Sequence, residues 1–258
     1  MPEVAVYAPA IPVWADLATS DLEAAKTFYG KLFGWKLETA PDPDAGGYTM
    51  AKLNGKDVAG LGPQMSKDQP PSWSAYFGSD NADATARKVT EAGGKVIAPP
   101  FDVLKSGRMA VFQDPAGAYF SVWQPAEHKG FGTTQAPNSF AWAELNARGV
   151  ESTKPFYQKV FGWSVKSSPM GQGQPPYTEW QLNGQSIAGG MEMGSQMPAQ
   201  VPPHWLVYFG VPNTDAAAKK VSELGGRVNF PPTDFPGGRF AVVADPQGAT
   251  FGLMTMKQ

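Results

Sequence analysis

The chain of 258 residues has no cysteine, which excludes disulfides, thiolate nucleophiles and thiolate-held metals. It has only two histidines, His128 and His204. Charge is sparse and balanced, with 21 basic and 23 acidic residues and a net charge of −2. No run of Lys and Arg exceeds two residues, which argues against a nucleic acid or an anionic membrane as partner. No window approaches the ~20 apolar residues of a membrane helix. The first residues, Met1-Pro-Glu-Val-Ala-Val6, lack the basic flank and apolar stretch of a signal peptide. The expectation is a soluble, cytoplasmic protein. Also missing are a phosphate loop, a dinucleotide fingerprint, a Gly-x-Ser-x-Gly elbow and a His-Glu-x-x-His helix.

What the chain does have is an internal copy of itself. Trp14-Ala-Asp-Leu17 matches Trp142-Ala-Glu-Leu145. Phe28-Tyr29 and Phe33-Gly34-Trp35 match Phe156-Tyr157 and Phe161-Gly162-Trp163. These pairs all lie 128 residues apart. The echo continues in Leu53-Asn54-Gly55 and Leu182-Asn183-Gly184, in Trp73 and Trp205, and in Asp114-Pro115 and Asp245-Pro246. A self-match of this kind means two copies of one folding unit. Hydrophobic residues make up 42% of the chain, enough for a core in each copy. The reading places domain 1 at residues 1–126, a linker at 127–137 and domain 2 at 138–258.

Each copy divides again. In the first, a strand from Ile11 to Leu17 leads to a capping-box pattern, Ser20-Asp-Leu-Glu23, and then a helix with apolar residues at Leu22, Ala25, Phe28-Tyr29 and Leu32-Phe33. Gly34 ends that helix. Strands follow near 35–39, 48–53 and 58–61, with Asn54-Gly55 as a hairpin turn. A second module has a strand at 72–77, a helix capped by Asp80 and closed at Gly93-Gly94, and strands near 95–98, 108–113 and 118–123. The Asp114-Pro-Ala-Gly117 turn joins the last two. Pro155 in the third helix is tolerable only in the first turn, where no intrahelical donor is required. The fold class is α+β: four β-α-β-β-β modules paired into two domains with open curved sheets around cavities.

This order of motifs resembles the vicinal oxygen chelate superfamily, which includes glyoxalase I, the bleomycin-resistance proteins and the extradiol dioxygenases. It is most similar to tandem two-domain actinobacterial members, some encoded beside aromatic polyketide pathways. The resemblance implies metal ligands projecting into the cavity from four strand positions in each domain. Here those positions fall on Trp14, Gly60, Trp73 and Ser121, and on Trp142, Gly189, Trp205 and Gly252. None is a strong divalent-metal ligand. His128 lies in the linker, and His204 precedes Trp205 and should point to the other face of its strand. The expectation is therefore no metal and no cofactor.

Indole rings at four of these positions suggest an aromatic cavity for a flat hydrophobic molecule. Strand alternation adds Phe77 beside Trp73, Phe209 beside Trp205, and Tyr119 beside Ser121. Asp16 and Glu144, two residues past Trp14 and Trp142, face the same way as those rings. They are candidate general bases, or else carboxylates bonded within the structure. Arg108 and Arg239 could pair with them, hold an anionic ligand, or stand as solvated loop ends. The tryptophans could equally be core. Two readings of function stay open: a binding protein for a flat hydrophobic small molecule, and a metal-independent enzyme on an aromatic metabolite using Asp16 or Glu144. A glyoxalase-like metalloenzyme ranks behind both. Covalent duplication makes a monomer sufficient and leaves a homodimer open.

Overall fold

The computed structural model describes residues 7–171, 173, 175–195 and 197–257. The first half runs β1 (Pro12–Thr19), α1 (Leu22–Phe33), β2 (Lys36–Thr39), β3 (Thr49–Leu53) and β4 (Lys56–Pro63), with a short 3-10 turn at Pro43–Ala45. It continues with β5 (Ser72–Gly78), α2 (Ala82–Glu91), β6 (Lys95–Val103), β7 (Gly107–Gln113) and β8 (Tyr119–Pro125). The second half repeats this order. Its first module has β9 (Phe140–Ala147), α3 (Val150–Phe161), β10 (Ser164–Ser168), β11 (Tyr177–Leu182) and β12 (Gln185–Glu192). Its second has β13 (His204–Gly210), α4 (Thr214–Glu223), β14 (Arg227–Phe235), β15 (Gly238–Ala244) and β16 (Thr250–Met256).

Each half forms one open eight-stranded sheet, in the orders β2-β3-β4-β1-β5-β8-β7-β6 and β10-β11-β12-β9-β13-β16-β15-β14. Within a module the first strand pairs in parallel with the last, as β1 does with β4. The two modules of a half join through antiparallel first strands, β1 with β5 and β9 with β13. This arrangement puts helices on one face of each sheet and leaves the other face open.

Local chemistry accounts for most element ends. Gly34 and Gly162 close α1 and α3 with positive φ, a conformation glycine adopts without a Cβ penalty. Asn54-Gly55 and Asn183-Gly184 both take positive φ, as a two-residue hairpin requires. Three expectations need correction. Asp21, not Ser20, caps α1, accepting from the Ala24 amide at 3.0 Å. Asn81, not Asp80, caps α2, accepting from Ala84 at 2.8 Å. Pro155 lies in the second turn of α3, not the first. There it forfeits one intrahelical bond, and the helix is held from outside. The Glu192 carboxylate caps its N-terminus, accepting from Gly149 and Val150 at 2.7 and 2.9 Å.

The repeated Phe-Tyr and Phe-Gly-Trp motifs meet at the centre of the molecule. Phe33, Trp35 and Trp73 of the first half pack on Phe209 of the second. In the mirrored arrangement Phe161, Trp163 and Trp205 pack on Phe77. Hydrogen bonds cross with the rings. Tyr29 donates to Asp245 at 3.0 Å, and Tyr157 donates to Asp114 at 2.8 Å. Trp35 and Trp163 donate across the same boundary to the carbonyls of Asn138 and Ala10. One continuous apolar core therefore serves both halves.

Candidate functional site

Strand register decides which side chains share a face. Asp16 lies opposite Gly60 in β4 and Ser74 in β5, Trp14 lies opposite Tyr76, and Tyr76 lies beside Ser121 in β8. The open face of the first half is therefore lined by Trp14, Asp16, Gly60, Ser74, Tyr76 and Ser121. Leu17 pairs with Trp73, which places Trp73 on the helix face. There its indole donates to Tyr29 of α1 at 2.9 Å, and Tyr29 passes the chain on to Asp245. Trp205 makes the same relay through Tyr157 to Asp114.

These placements correct the expectation for four residues. Trp73, Phe77, Trp205 and Phe209 do not share a face with Trp14 and Trp142; they are buried between the halves. The residues of those strands facing the opening are Ser74 and Tyr76 in β5, and Leu206 and Tyr208 in β13. Arg108 and Arg239 also lie on the helix face. Arg108 pairs with Asp83 of α2 at 2.9 Å and with Asp102 at 2.9 Å. Arg239 pairs with Asp215 of α4 at 2.7 Å and with Asp234 at 2.9 Å. Neither approaches Asp16 or Glu144. These ion pairs tie each second-module helix to its sheet edge. Tyr119 shares the open face with Ser121 and is exposed.

On the open face each half holds one carboxylate between two phenols. In the first half, Tyr76 and Tyr48 both donate to Asp16 Oδ2, at 2.9 and 3.4 Å. Trp14 donates to the Tyr48 hydroxyl at 2.9 Å. In the second half, Tyr177 donates to Glu144 Oε2 at 2.8 Å, while Tyr208 donates to Oε1 at 3.2 Å. Trp142 donates to Tyr177 at 3.0 Å, and the Asn146 amide reaches Oε1 at 3.4 Å. Both carboxylates and both indoles are among the residues expected from sequence; the four tyrosines are not. A signal existed, because Tyr48 and Tyr177, like Tyr76 and Tyr208, stand at duplicate positions.

The glycines at the fourth- and eighth-strand positions make room for these rings. A Cβ built on Gly60 would lie 1.8 Å from Tyr48 Oη, and one on Gly189 would lie 1.9 Å from Tyr177 Oη. A Cβ on Gly252 would lie 2.0 Å from the Tyr208 ring. No larger side chain fits while the tyrosines keep these positions.

Burial raises the pKa of both carboxylates because it disfavours the charged form. Asp16 is pushed up to about 6, with the Tyr76 and Tyr48 hydrogen bonds opposing the rise. Glu144 is also raised by burial, against bonds from Tyr177, Tyr208 and Asn146. The phenols of Tyr48, Tyr76 and Tyr208 are raised well above the usual tyrosine range, first by burial and then by the neighbouring carboxylate. They are donors, not anions.

The surroundings of the two copies differ. The segment after β8 folds back over the first half. His128 sits edge-on to Trp14 with ring centroids 4.5 Å apart, and Phe131 packs beside it. Trp14 is buried in consequence, whereas Trp142 is partly exposed. His204 lies on β13 and bonds only locally, to the Pro202 carbonyl. In the second half Leu206, Tyr208 and Met254 form a separate apolar cluster with Trp142, Phe235, Phe240 and Val242. Among the described residues, no three His, Cys, Asp or Glu side chains converge as a metal site would require. Nor is any described helix long and apolar enough to cross a membrane.

Comparison with known proteins places this geometry. The model of the Glyoxalase/Bleomycin resistance protein/Dioxygenase superfamily matches residues 11–122 and again 139–253. The chain is 38% identical over 266 residues to the anthracycline biosynthesis protein DnrV of Streptomyces peucetius, covering 98% of this chain and 95% of that one. It is 39% identical over 259 residues to the putative glyoxylase CFP32 of Mycobacterium bovis, covering 98% of each. A Mn(II)-bound glyoxalase from Novosphingobium aromaticivorans shares the fold, with a TM-score of 0.66 at 18% identity over 96% of this chain and 82% of that one. The chain belongs to the glyoxalase/bleomycin resistance/dioxygenase superfamily, with two similar domains in tandem.

Proposed function

We propose that this chain binds a flat, largely apolar small molecule on the open face of its sheet, and that it does so without a divalent metal ion. One observation carries the reading: tyrosine side chains occupy the space that larger residues at Gly60 of β4, Gly189 of β12 and Gly252 of β16 would need. The Tyr48 and Tyr177 hydroxyls stand within 2 Å of where Cβ atoms on Gly60 and Gly189 would be, and the Tyr208 ring covers Gly252. The donor set gives further support. Each half offers one carboxylate, no imidazole aimed at it, and phenols that stay protonated, which is a poor coordination shell for a hard or borderline cation. Aromatic rings around a few polar atoms suit a planar organic ligand. Two relatives bearing the name anthracycline biosynthesis protein, at 38% and 37% identity, accord with a polycyclic aromatic ligand class.

Equilibrium dialysis tests this reading. Chelator-treated protein should bind 2-methylnaphthalene saturably, and adding Mn(II) or Zn(II) should leave the affinity unchanged. Binding that appears only with the metal contradicts the proposal.

A second reading, a metal-independent enzyme, is favoured by Asp16 alone. A carboxyl near pKa 6 can accept a proton at neutral pH, as a general base must. The same case does not extend to Glu144, whose two oxygens are both engaged. Turnover of an aromatic metabolite that Asp16→Asn abolishes, with binding retained, would establish this second reading over the first.

A further inference from the structure

We propose that the open face of the N-terminal half, and not its C-terminal copy, recognises the hydroxyl group of a planar phenol or enol through Asp16 Oδ1 and Ser74. This rests on the binding reading above and specifies the half and the functional group. Both phenols in the first half converge on Asp16 Oδ2. Among the described residues, Asp16 Oδ1 takes no protein donor, and the Asp16 side chain is only partly buried. Ser74 lies directly across from Asp16 in the antiparallel β1–β5 pair, where facing Cβ atoms stand about 5 Å apart. Its hydroxyl has no hydrogen bond among the described residues, and the side chain is half-buried. Two facing residues therefore offer a carboxylate oxygen and a serine hydroxyl, neither with a hydrogen-bond partner among the described residues.

The chemistry of that pair selects the ligand group. A ligand hydroxyl donates one proton and accepts one or two, so it can give to Asp16 Oδ1 and take from Ser74 Oγ at once. An ammonium group presents three donors and no acceptor, so it would leave Ser74 unmatched as a donor and its own N–H groups short of acceptors. Met50 and Met109 lie on the same face of neighbouring strands, are partly exposed, and supply apolar contact for the rest of a planar molecule. The C-terminal copy keeps apolar surroundings but lacks both polar features. Glu144 is buried with both oxygens occupied, Leu206 replaces Ser74, Gly252 replaces Ser121 and Met254 replaces Trp123.

The test compares 2-naphthol with its near-isostere 2-methylnaphthalene by equilibrium dialysis at pH 7.5. A hydrogen bond to a charged group is worth about 1.5–3 kcal/mol, so the native chain should favour 2-naphthol by about ten-fold or more. In Asp16→Asn the two phenols hold the amide oxygen and turn the NH2 group outward, which leaves the ligand hydroxyl a neutral bond in place of a charge-assisted one, so the preference should fall to about three-fold or less. Ser74→Ala should reduce it about three-fold, and Glu144→Gln should leave it intact. Circular dichroism on each variant confirms the fold. No preference in the native chain, a preference undiminished by Asp16→Asn, or one that Glu144→Gln abolishes overturns this inference while the binding reading stands. Failure of both compounds to bind overturns the two together.

Discussion

The two halves of this protein are near copies on their helix faces and different on their open faces. Trp73–Tyr29–Asp245 and Trp205–Tyr157–Asp114 use the same residue types, with every bond between 2.8 and 3.0 Å. Across the sheet, Asp16 faces Ser74 and keeps one oxygen without a partner among the described residues, whereas Glu144 faces Leu206 with both oxygens engaged. The helix faces must close on each other, so a change in either strands a buried polar group in both halves. The open faces bear no such mutual load, and each can diverge. The comparison teaches where to look for function: the face that differs between duplicates, rather than the one that is repeated most faithfully.

Breaking the helix-face symmetry carries the largest expected effect. Tyr29→Ala and Tyr157→Ala each remove a buried ring and leave an indole N–H and a carboxylate oxygen without partners. Each should cost about 3–5 kcal/mol, judged from large-to-small core substitutions. Chemical denaturation should give losses within about 1 kcal/mol of each other. A cost confined to one half would show that the relays are not equivalent.

The open-face glycines come next. Gly60→Ala and Gly189→Ala force a tyrosine hydroxyl to move, at a cost of about 1–3 kcal/mol. Gly189→Ala should cost more, because its Cβ would also lie 2.7 Å from Trp142 Nε1. If both variants match the native chain in denaturant, the tyrosines do not hold these positions.

The smallest effect is on pH dependence, and it sharpens the contrast between Asp16 and a carboxylate with an ordinary pKa. Burial pushes the Asp16 carboxyl up to about 6 from the ordinary aspartate value of 3.8. Above pH 6 the residue is ionised whether folded or not, and its burial counts against the fold. As pH falls from 7 through 6 towards 4, the folded state takes up a proton first and gains stability. Allowing for partial exposure, the gain is about 1 kcal/mol. Asp16→Asn should lose this slope and be more stable than the native chain at pH 7.5 by about the same amount. The preference for 2-naphthol should weaken as pH falls through about 6, because the protonated carboxyl offers only a neutral hydrogen bond. A preference that persists unchanged at pH 5 contradicts the role given to the ionised carboxylate.

The architecture was legible because duplication exposed it. Repeated Phe-Gly-Trp and Asn-Gly motifs mark helix ends and hairpins through local backbone preference, which sequence records directly. Face assignment was harder. Alternation fixes the face of Trp73 only relative to its own strand neighbours. Choosing between Trp73 and Ser74 requires the register against β1, which is set by long-range pairing and by an irregularity between Pro12 and Trp14. Arg108 was ambiguous for the same reason, since its partners Asp83 and Asp102 sit on separate elements. Asp16 and Glu144 were legible from their spacing to Trp14 and Trp142. Their phenol partners were not, because Tyr48 reaches Asp16 from just before β3, two strands away, and Tyr76 reaches it from β5.

The most direct test of the divergent-face account is a crystal structure of the chain soaked with 2-naphthol. The account predicts the ligand on the first half, its hydroxyl within about 3 Å of Asp16 Oδ1 and Ser74 Oγ, as a hydrogen bond requires. A ligand bound instead against Leu206 and Met254, or on the first half with its hydroxyl turned away from Asp16, contradicts it.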